Sequence, residues 1–343
     1  MKILIIYTGG TIGMKQNPAT GALEPFDFTQ IEEEVPELRK FGFILDTVSF
    51  KPIDSSEITP AFWGDIVNTI VNNYERYNGF VVLHGTDTMS YSASAVSFML
   101  QNLGKPVIFT GSQLPIGMLR TDGKENLISA VETAASVKDG LPVVPEVCIY
   151  FQNRLYRGNR TTKFSAEHFN AFNSFNYPVL AEAGIYLKFN TQSIMPYPKE
   201  KLTWHTTLDT NTTVIRVFPG MQPSLFDSVL NINGLRSLII ETFGSGNAPT
   251  FPWFIESIQK IIDKGINVLN ITQCIRGQVE PDKYTTGRLL KKAGVISGRD
   301  MTFEAAHTKL FYLQGKYTDN NLVKAHLEEC ICGEFTTDEP SLF

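Results

Sequence analysis

The sequence predicts an α/β protein of two domains, a larger N-terminal one built on a mostly parallel sheet and a smaller C-terminal α/β one. Three observations carry this prediction. At 343 residues the chain exceeds the size at which a single hydrophobic core usually stops growing. Short apolar runs rich in β-branched residues end in Gly, Ser or Thr and alternate with segments of helical spacing, which is the rhythm of βα units. That rhythm breaks once, in a polar stretch rich in Pro and Thr, and then resumes.

Strands are expected at residues 2–7, 43–50, 80–83, 106–110 and 147–151. Residues 60–77, 90–103 and 126–137 repeat their apolar side chains at three- and four-residue intervals and are expected to be the intervening helices. Two more strand signals, 184–189 and 214–218, flank the stretch without helical periodicity. It reads as a linker over 186–212 between domains at 1–185 and 213–343. The second domain continues with a strand at 237–241, a helix at 253–264, a strand at 267–272 and a helix at 285–293. Residues 14–28, with Asn17-Pro18 and Thr20-Gly21 and few apolar side chains, form an irregular segment of the length that lids have.

Composition narrows the function classes. Hydrophobic residues at 43% and charged residues at 19% describe a globular chain, neither disordered nor membrane-embedded. A net charge of −5 with no block of Lys or Arg offers nothing to a polyanion, so nucleic acid is excluded as a partner. The opening strand is too short for a signal-peptide core and lacks a cleavage site, which leads to the expectation of an unexported, cytoplasmic chain. Cys148, Cys274, Cys330 and Cys332 have neither the density of a disulfide framework nor the paired spacing of a zinc site, and read as free thiols.

In an open α/β sheet, ligands bind beyond the carboxyl ends of the strands. Three such junctions are unusually polar: Thr8-Gly9-Gly10-Thr11-Ile12-Gly13, His84-Gly85-Thr86-Asp87-Thr88 and Thr110-Gly111-Ser112-Gln113. The first is not a phosphate loop, because Gly13 is followed by Met14 rather than Lys. Nor is it a dinucleotide fingerprint, since Thr8 stands where glycine is needed and the acids Glu32 to Glu34 fall in a helix-like stretch. It can hold a nucleophile, Thr11, beside backbone N–H groups, or Thr11 can simply cap a helix. Thr86 and Asp87 place a hydroxyl next to a carboxylate, with helix capping as the alternative role. A hydroxyl needs a base or a nearby cation to react. Lys163, in a basic loop directly after the strand ending near Phe151, is the candidate cation, although most surface lysines are merely solvated. Asp54-Ser55-Ser56, after the second strand, is either a plain turn or a carboxylate site made of hydroxyl and backbone donors.

The segments Tyr7-Thr8-Gly9-Gly10-Thr11-Ile12-Gly13-Met14 and His84-Gly85-Thr86-Asp87-Thr88-Met89 resemble the two signatures of the asparaginase and glutaminase family. The likeness runs on through Thr110-Gly111-Ser112-Gln113, residues 153–163, Gly246-Asn247-Ala248-Pro249 and Thr272-Gln273-Cys274, and is to the type I cytoplasmic branch over essentially the whole chain. The resemblance implies the two-domain asparaginase-like fold and hydrolysis of L-asparagine with no metal or other cofactor. It implies Thr11 as the nucleophile of an acyl-enzyme and Thr86, Asp87 and Lys163 as the second catalytic set. Asp87 would also hold the substrate ammonium, and Asp54, Ser55 and Ser56 its carboxylate side. It further implies self-association as a homodimer or homotetramer, with Gly246-Asn247 turned toward a neighbour.

Two departures stand out. The family's lid tyrosine has no counterpart in residues 15–28, where Ala22 or Leu23 stands near its place. Type I relatives can bind asparagine at an effector site made of an arginine and a Thr-Gln-Cys turn. Here Thr272, Gln273 and Cys274 are present, but Glu241 stands where the arginine is expected. A carboxylate there repels the effector's α-carboxylate unless Arg276 or Arg236 supplies the charge, so hyperbolic kinetics are expected. The competing functions are a glutamine-preferring amidohydrolase, the ammonia-supplying subunit of a transfer-RNA amidotransferase, and an amino-acid-binding module with a decayed site. The amidotransferase subunit carries an extra N-terminal domain, and the intact Thr11, Thr86, Asp87 and Lys163 argue against decay.

Overall fold

The computed structural model describes residues 1–16, 20, 23–25 and 35–337. They divide into two compact units, one running from Met1 to Thr206 and one beginning at Thr207.

The first unit is built on an eight-stranded sheet. Five of its strands are parallel: β1 (Lys2–Gly9), β2 (Ile44–Ile53), β3 (Gly79–Leu83), β4 (Val107–Thr110) and β5 (Val147–Phe151), in the spatial order β2-β1-β3-β4-β5. β3, Gly-Phe-Val-Val-Leu, is buried at every position. A strand covered on both faces has no solvent side, which is why its sequence is a continuous apolar run rather than an alternation. The crossovers that parallel pairing requires include α1 (Pro60–Asn73), α2 (Met89–Met99) and α3 (Gly123–Ala135). Pro60 starts α1 where its missing N–H costs nothing. Leu127 and Val131 of α3 join Ile3, Ile5 and Tyr7 of β1 and Val81 and Leu83 of β3 in one core, each such side chain contributing roughly 1.5–3 kcal/mol of burial.

Two sequence expectations are corrected beyond β5. Residues 154–163, expected as a loop, contain β6 (Arg154–Arg157) and β7 (Thr162–Lys163), joined by the 3-10 turn Gly158–Arg160. β6 pairs antiparallel with β5 around Gln152 and Asn153, whose φ angles of 48° and 65° are the left-handed pair that a two-residue hairpin demands. The sequence hid this turn because it lacks the glycine that usually marks one. β7 pairs with β8 (Phe172–Asn173). Residues 184–189, expected as one strand, are instead the tip and second arm of a hairpin of β9 (Ala181–Ala183) and β10 (Leu187–Phe189). Gly184 breaks the run. β6, β9 and β10 extend the sheet antiparallel beyond β5. Within 186–212, Thr203–Trp204 pairs with Leu100–Gln101.

The second unit has a four-stranded parallel sheet in chain order, β11 (Thr212–Arg216), β12 (Ser237–Thr242), β13 (Asn267–Thr272) and β14 (Ile296–Ser297). Its helices are α4 (Ser224–Leu230), α5 (Pro252–Asp263), α6 (Thr285–Ala293), α7 (Phe303–Lys316) and α8 (Asn320–Leu327). Thr302 caps α7 by accepting from Ala305 N at 3.1 Å, and Asp319 caps α8 by accepting from Asn321 N at 2.8 Å.

Met14–Gln16 and Leu23–Pro25 pair as a short hairpin, whereas Ala22, the side chain of Leu23 and residues 26–34, including Glu32 to Glu34, lie outside the described residues. None of the four cysteines is in a disulfide. No helix among the described residues is long and apolar enough to cross a membrane.

Candidate active site

Parallel register brings the polar loops out at one level. Tyr7 on β1 pairs with Leu83 on β3, and Leu83 with Thr110 on β4. Two glycines then let the loops touch. A Cβ on Gly10, whose φ is 84°, would lie 2.5 Å from the backbone N and Cα of Gly85. A Cβ on Gly85 would lie 2.7 Å from Ser55 Oγ. Only glycine permits these approaches, and they gather Thr11, Thr86 with Asp87, and Asp54 to Ser56 around one point.

Thr11 opens the 3-10 turn Thr11–Gly13, whose N-cap is Gly10, so the threonine does not cap it. Its half-buried side chain makes no hydrogen bond among the described residues. Helix α2 has Thr88 at its N-cap position, so neither Thr86 nor Asp87 is spent on capping. Both instead meet Lys163, which β7 presents with its side chain only 16% exposed. Lys163 Nζ donates to Thr86 Oγ1 at 2.9 Å and to Asp87 Oδ1 at 2.5 Å.

The backbone under Lys163 is anchored by groups that no sequence motif singles out. Thr161 Oγ1 donates to Arg157 O at 2.7 Å, and buried Arg157 Nε meets buried Glu146 Oε2 at 2.7 Å. Arg157 and Arg160 both stack on Tyr177, at 4.4 and 5.1 Å from its ring centre.

Asp54 caps the turn Ser55–Glu57, accepting from Ser56 N at 2.8 Å and Ser56 Oγ at 2.7 Å. Those bonds hold its carboxyl below the usual range. Ser55 is buried against the Gly85 loop, and its carbonyl accepts from Thr88 Oγ1 at 2.6 Å.

Gln113 and His84 stand in the polar junctions after β4 and β3 and have no role implied by their residue types alone. Their placement directly after strands was the available signal. His84 is wholly buried. Its Nδ1 faces Gly85 O at 2.7 Å, and because a carbonyl can only accept, Nδ1 carries the proton. Nε2 then accepts from Ser92 Oγ at 2.8 Å, which accepts from Trp63 Nε1 at 2.9 Å. Burial pushes the ring down to about 4, against a smaller upward pull from the Gly85 carbonyl.

The unfolded chain, with histidine near 6.5, therefore binds more protons than the folded one between these values. The contribution of His84 is complete above about pH 6.5 and is lost as pH falls toward 4, a swing of order 3 kcal/mol. Thermal melts are expected to fall over this window, and less steeply in His84→Gln; equal slopes would contradict the assignment.

The expected effector residues lie in the second unit. Glu241 pairs in register with Arg216, their side chains 3.7 Å apart. Gln273 Nε2 donates to Val217 O and Glu241 O at 2.6 and 2.8 Å, and Thr272 Oγ1 donates to Gly244 O at 2.5 Å and accepts from Cys274 N at 3.0 Å. Arg236 is committed to Asp209, Asn320 and the carbonyls of Gln314, Tyr317 and Thr318. Asn247 Oδ1 accepts from Thr286 Oγ1 at 2.7 Å.

Comparison with known proteins matches residues 2–195 to the family described as Asparaginase, N-terminal, and residues 211–327 to the Glutaminase/Asparaginase C-terminal domain. L-asparaginase 1 of Escherichia coli strain K12 is 41% identical over 98% of this chain and 98% of its own. The human 60 kDa lysophospholipase is 39% identical over 92% of this chain, which spans 58% of that protein. Among solved structures, L-asparaginase I of Vibrio cholerae superposes with a TM-score of 0.88 at 39% identity, covering 98% of this chain and 99% of its own.

Proposed function

The chain belongs to the asparaginase family of amidohydrolases, and on that premise we propose that it hydrolyses L-asparagine to L-aspartate and ammonia through an ester on Thr11. One observation carries the reading: Lys163 Nζ reaches both Thr86 Oγ1 and Asp87 Oδ1, while the Thr11 hydroxyl, without a hydrogen bond among the described residues, stands on the loop that touches theirs.

Thr11 Oγ1 adds to the side-chain amide carbon, and backbone N–H groups of the turn stabilise the oxyanion. The C–N bond then breaks. The proton Thr11 gives up is the one the departing nitrogen takes, so the Thr86–Lys163–Asp87 set relays it with no net change. Water cleaves the ester, releasing aspartate and restoring the hydroxyl. Asp87, exposed at its outer edge, attracts the substrate ammonium, and Asp54 fixes the turn through which Ser55 and Ser56 meet the carboxylate. A cytoplasmic location and self-association as a dimer or tetramer belong to the same reading.

Glutamine differs from asparagine by one methylene, which pockets discriminate by only about 1–3 kcal/mol. The test is ammonia release from each amide, compared as kcat/KM, with mass by light scattering at the assay concentration. Asparagine is expected to be preferred and the mass to exceed a monomer; no release from asparagine overturns the reading. The asparagine curve is expected to be hyperbolic, because the position of the expected arginine holds Glu241, a carboxylate paired with Arg216 that repels an effector carboxylate. A sigmoidal curve abolished by Thr272→Val would contradict this.

A further inference from the structure

The Thr86 hydroxyl has two neighbours, and only one of them is Lys163. Gln113 Oε1 lies 3.2 Å from Thr86 Oγ1, and Gln113 Nε2 lies 3.2 Å from His168 O. The chemistry of these partners decides which way the amide points. His168 O can only accept, so the NH₂ end must face it and the carbonyl end must face Thr86. Thr86 has a single hydroxyl proton. Because Lys163 donates into Thr86 Oγ1 at 2.9 Å, that proton is the one given to Gln113.

The backbone beneath Gln113 is held by one carboxylate. Asp122 takes the Gln113 N–H on both carboxylate oxygens at 3.1 and 3.0 Å and the Leu114 N–H at 3.1 Å, and is itself held by Asn126 Nδ2 at 3.2 Å. His168 sits between β7 and β8, on the hairpin that carries Lys163. One amide thus spans the loop after β3 and the tip of the Lys163 hairpin.

We propose that Gln113 is a positioning residue for the amide hydrolysis, holding the Thr86 hydroxyl in one orientation, with its lone pair on Lys163, and tying it to the Lys163 hairpin. The role rests on the asparaginase reading above. An amide carbonyl is too weak a base to take the proton, so Gln113 supplies orientation rather than proton transfer. Without it the hydroxyl proton has no fixed acceptor, only the Lys163 bond restrains the oxygen, and the hairpin loses a tie across the site.

Two variants and one substrate-free measurement test this. Gln113→Leu keeps the bulk and removes both bonds. It is expected to lower kcat for asparagine about 10–100-fold, with KM changed by less than about threefold. Gln113→Glu separates orientation from bulk. Its protonated carboxyl offers the same acceptor to Thr86 and the same donor to His168 O, whereas its carboxylate offers no donor. The ratio of its kcat to that of wild type is therefore expected to rise as pH falls through the titration of that carboxyl. A simple packing role predicts a flat ratio, and a flat ratio, or a Gln113→Leu enzyme with wild-type kcat, overturns the proposal.

Hydrogen exchange reads the tie without any substrate. The Phe164 amide, which bonds to Ala171 O at 2.9 Å, should exchange faster in Gln113→Leu than in wild type. Unchanged exchange there contradicts the tie. If wild type releases no ammonia from asparagine, the functional reading falls, and this exchange rate still decides whether Gln113 secures the hairpin.

Discussion

Thr11→Ala is expected to lower kcat for asparagine on the order of 10⁴-fold, and Thr86→Val by about 10²–10³-fold, while each protein stays folded. The first change removes the atom that forms the ester. Thr11 makes no side-chain hydrogen bond among the described residues and caps no helix, so its loss leaves no orphaned partner. Thr86→Val keeps the shape of the side chain and deletes the hydroxyl that Lys163 and Gln113 share. Melting temperatures should stay within about 2–4 °C of wild type, and binding of aspartate by calorimetry should survive in part. Near-native turnover by folded Thr11→Ala would remove it as the nucleophile.

Lys309→Met is expected to cost about 3–5 kcal/mol of stability. Lys309 Nζ and Glu334 Oε1 are 2.7 Å apart and both side chains are wholly buried. Lys309 also donates to Leu327 O at 3.0 Å and Glu329 O at 2.6 Å, clamping the segment after α8 onto α7. Burial pushes the Glu334 carboxyl up, but Lys309 and the N–H groups of Cys332 and Ile331 overcome it and hold the group below its usual range. In wild type this contribution is present above the ordinary glutamate pKa and lost as pH falls. In the variant the Cys332 and Ile331 N–H groups alone oppose burial, so the carboxyl titrates higher than in wild type and protonating it costs less stability. The gap between the two in urea unfolding should therefore narrow as pH drops from about 7 toward 4. A gap independent of pH would show that lost packing, not the stranded carboxylate, sets the cost.

Much of the larger domain was legible because local signals and tertiary demand agreed. β5 spans 147–151 as expected, and α1 begins at Pro60 as expected, because strands buried on both faces must be apolar and proline tolerates a first helical turn. Legibility failed where the signal was conformational rather than compositional. Gln152 and Asn153 turn the chain with left-handed φ angles that neither residue advertises strongly, and the loop expected before Lys163 became two strands. α7 and α8 went unanticipated because α7 is buried on most sides and presents no clean amphipathic stripe.

By itself, the sequence determined the family, the α/β class and the strand-end junctions at which Thr11, Asp54, Thr86 and Gln113 stand, since each follows from residue types at short range. Only the tertiary structure decided what those side chains meet. Lys163 lies 77 positions from Thr86 and 76 from Asp87, and nothing local relates them. Gln113 reaches His168 across 55 positions. Such contacts depend on strand register and on how closely two backbones approach at Gly10 and Gly85, and a hydrogen bond of about 3 Å is lost with a displacement smaller than one residue's rise along a strand.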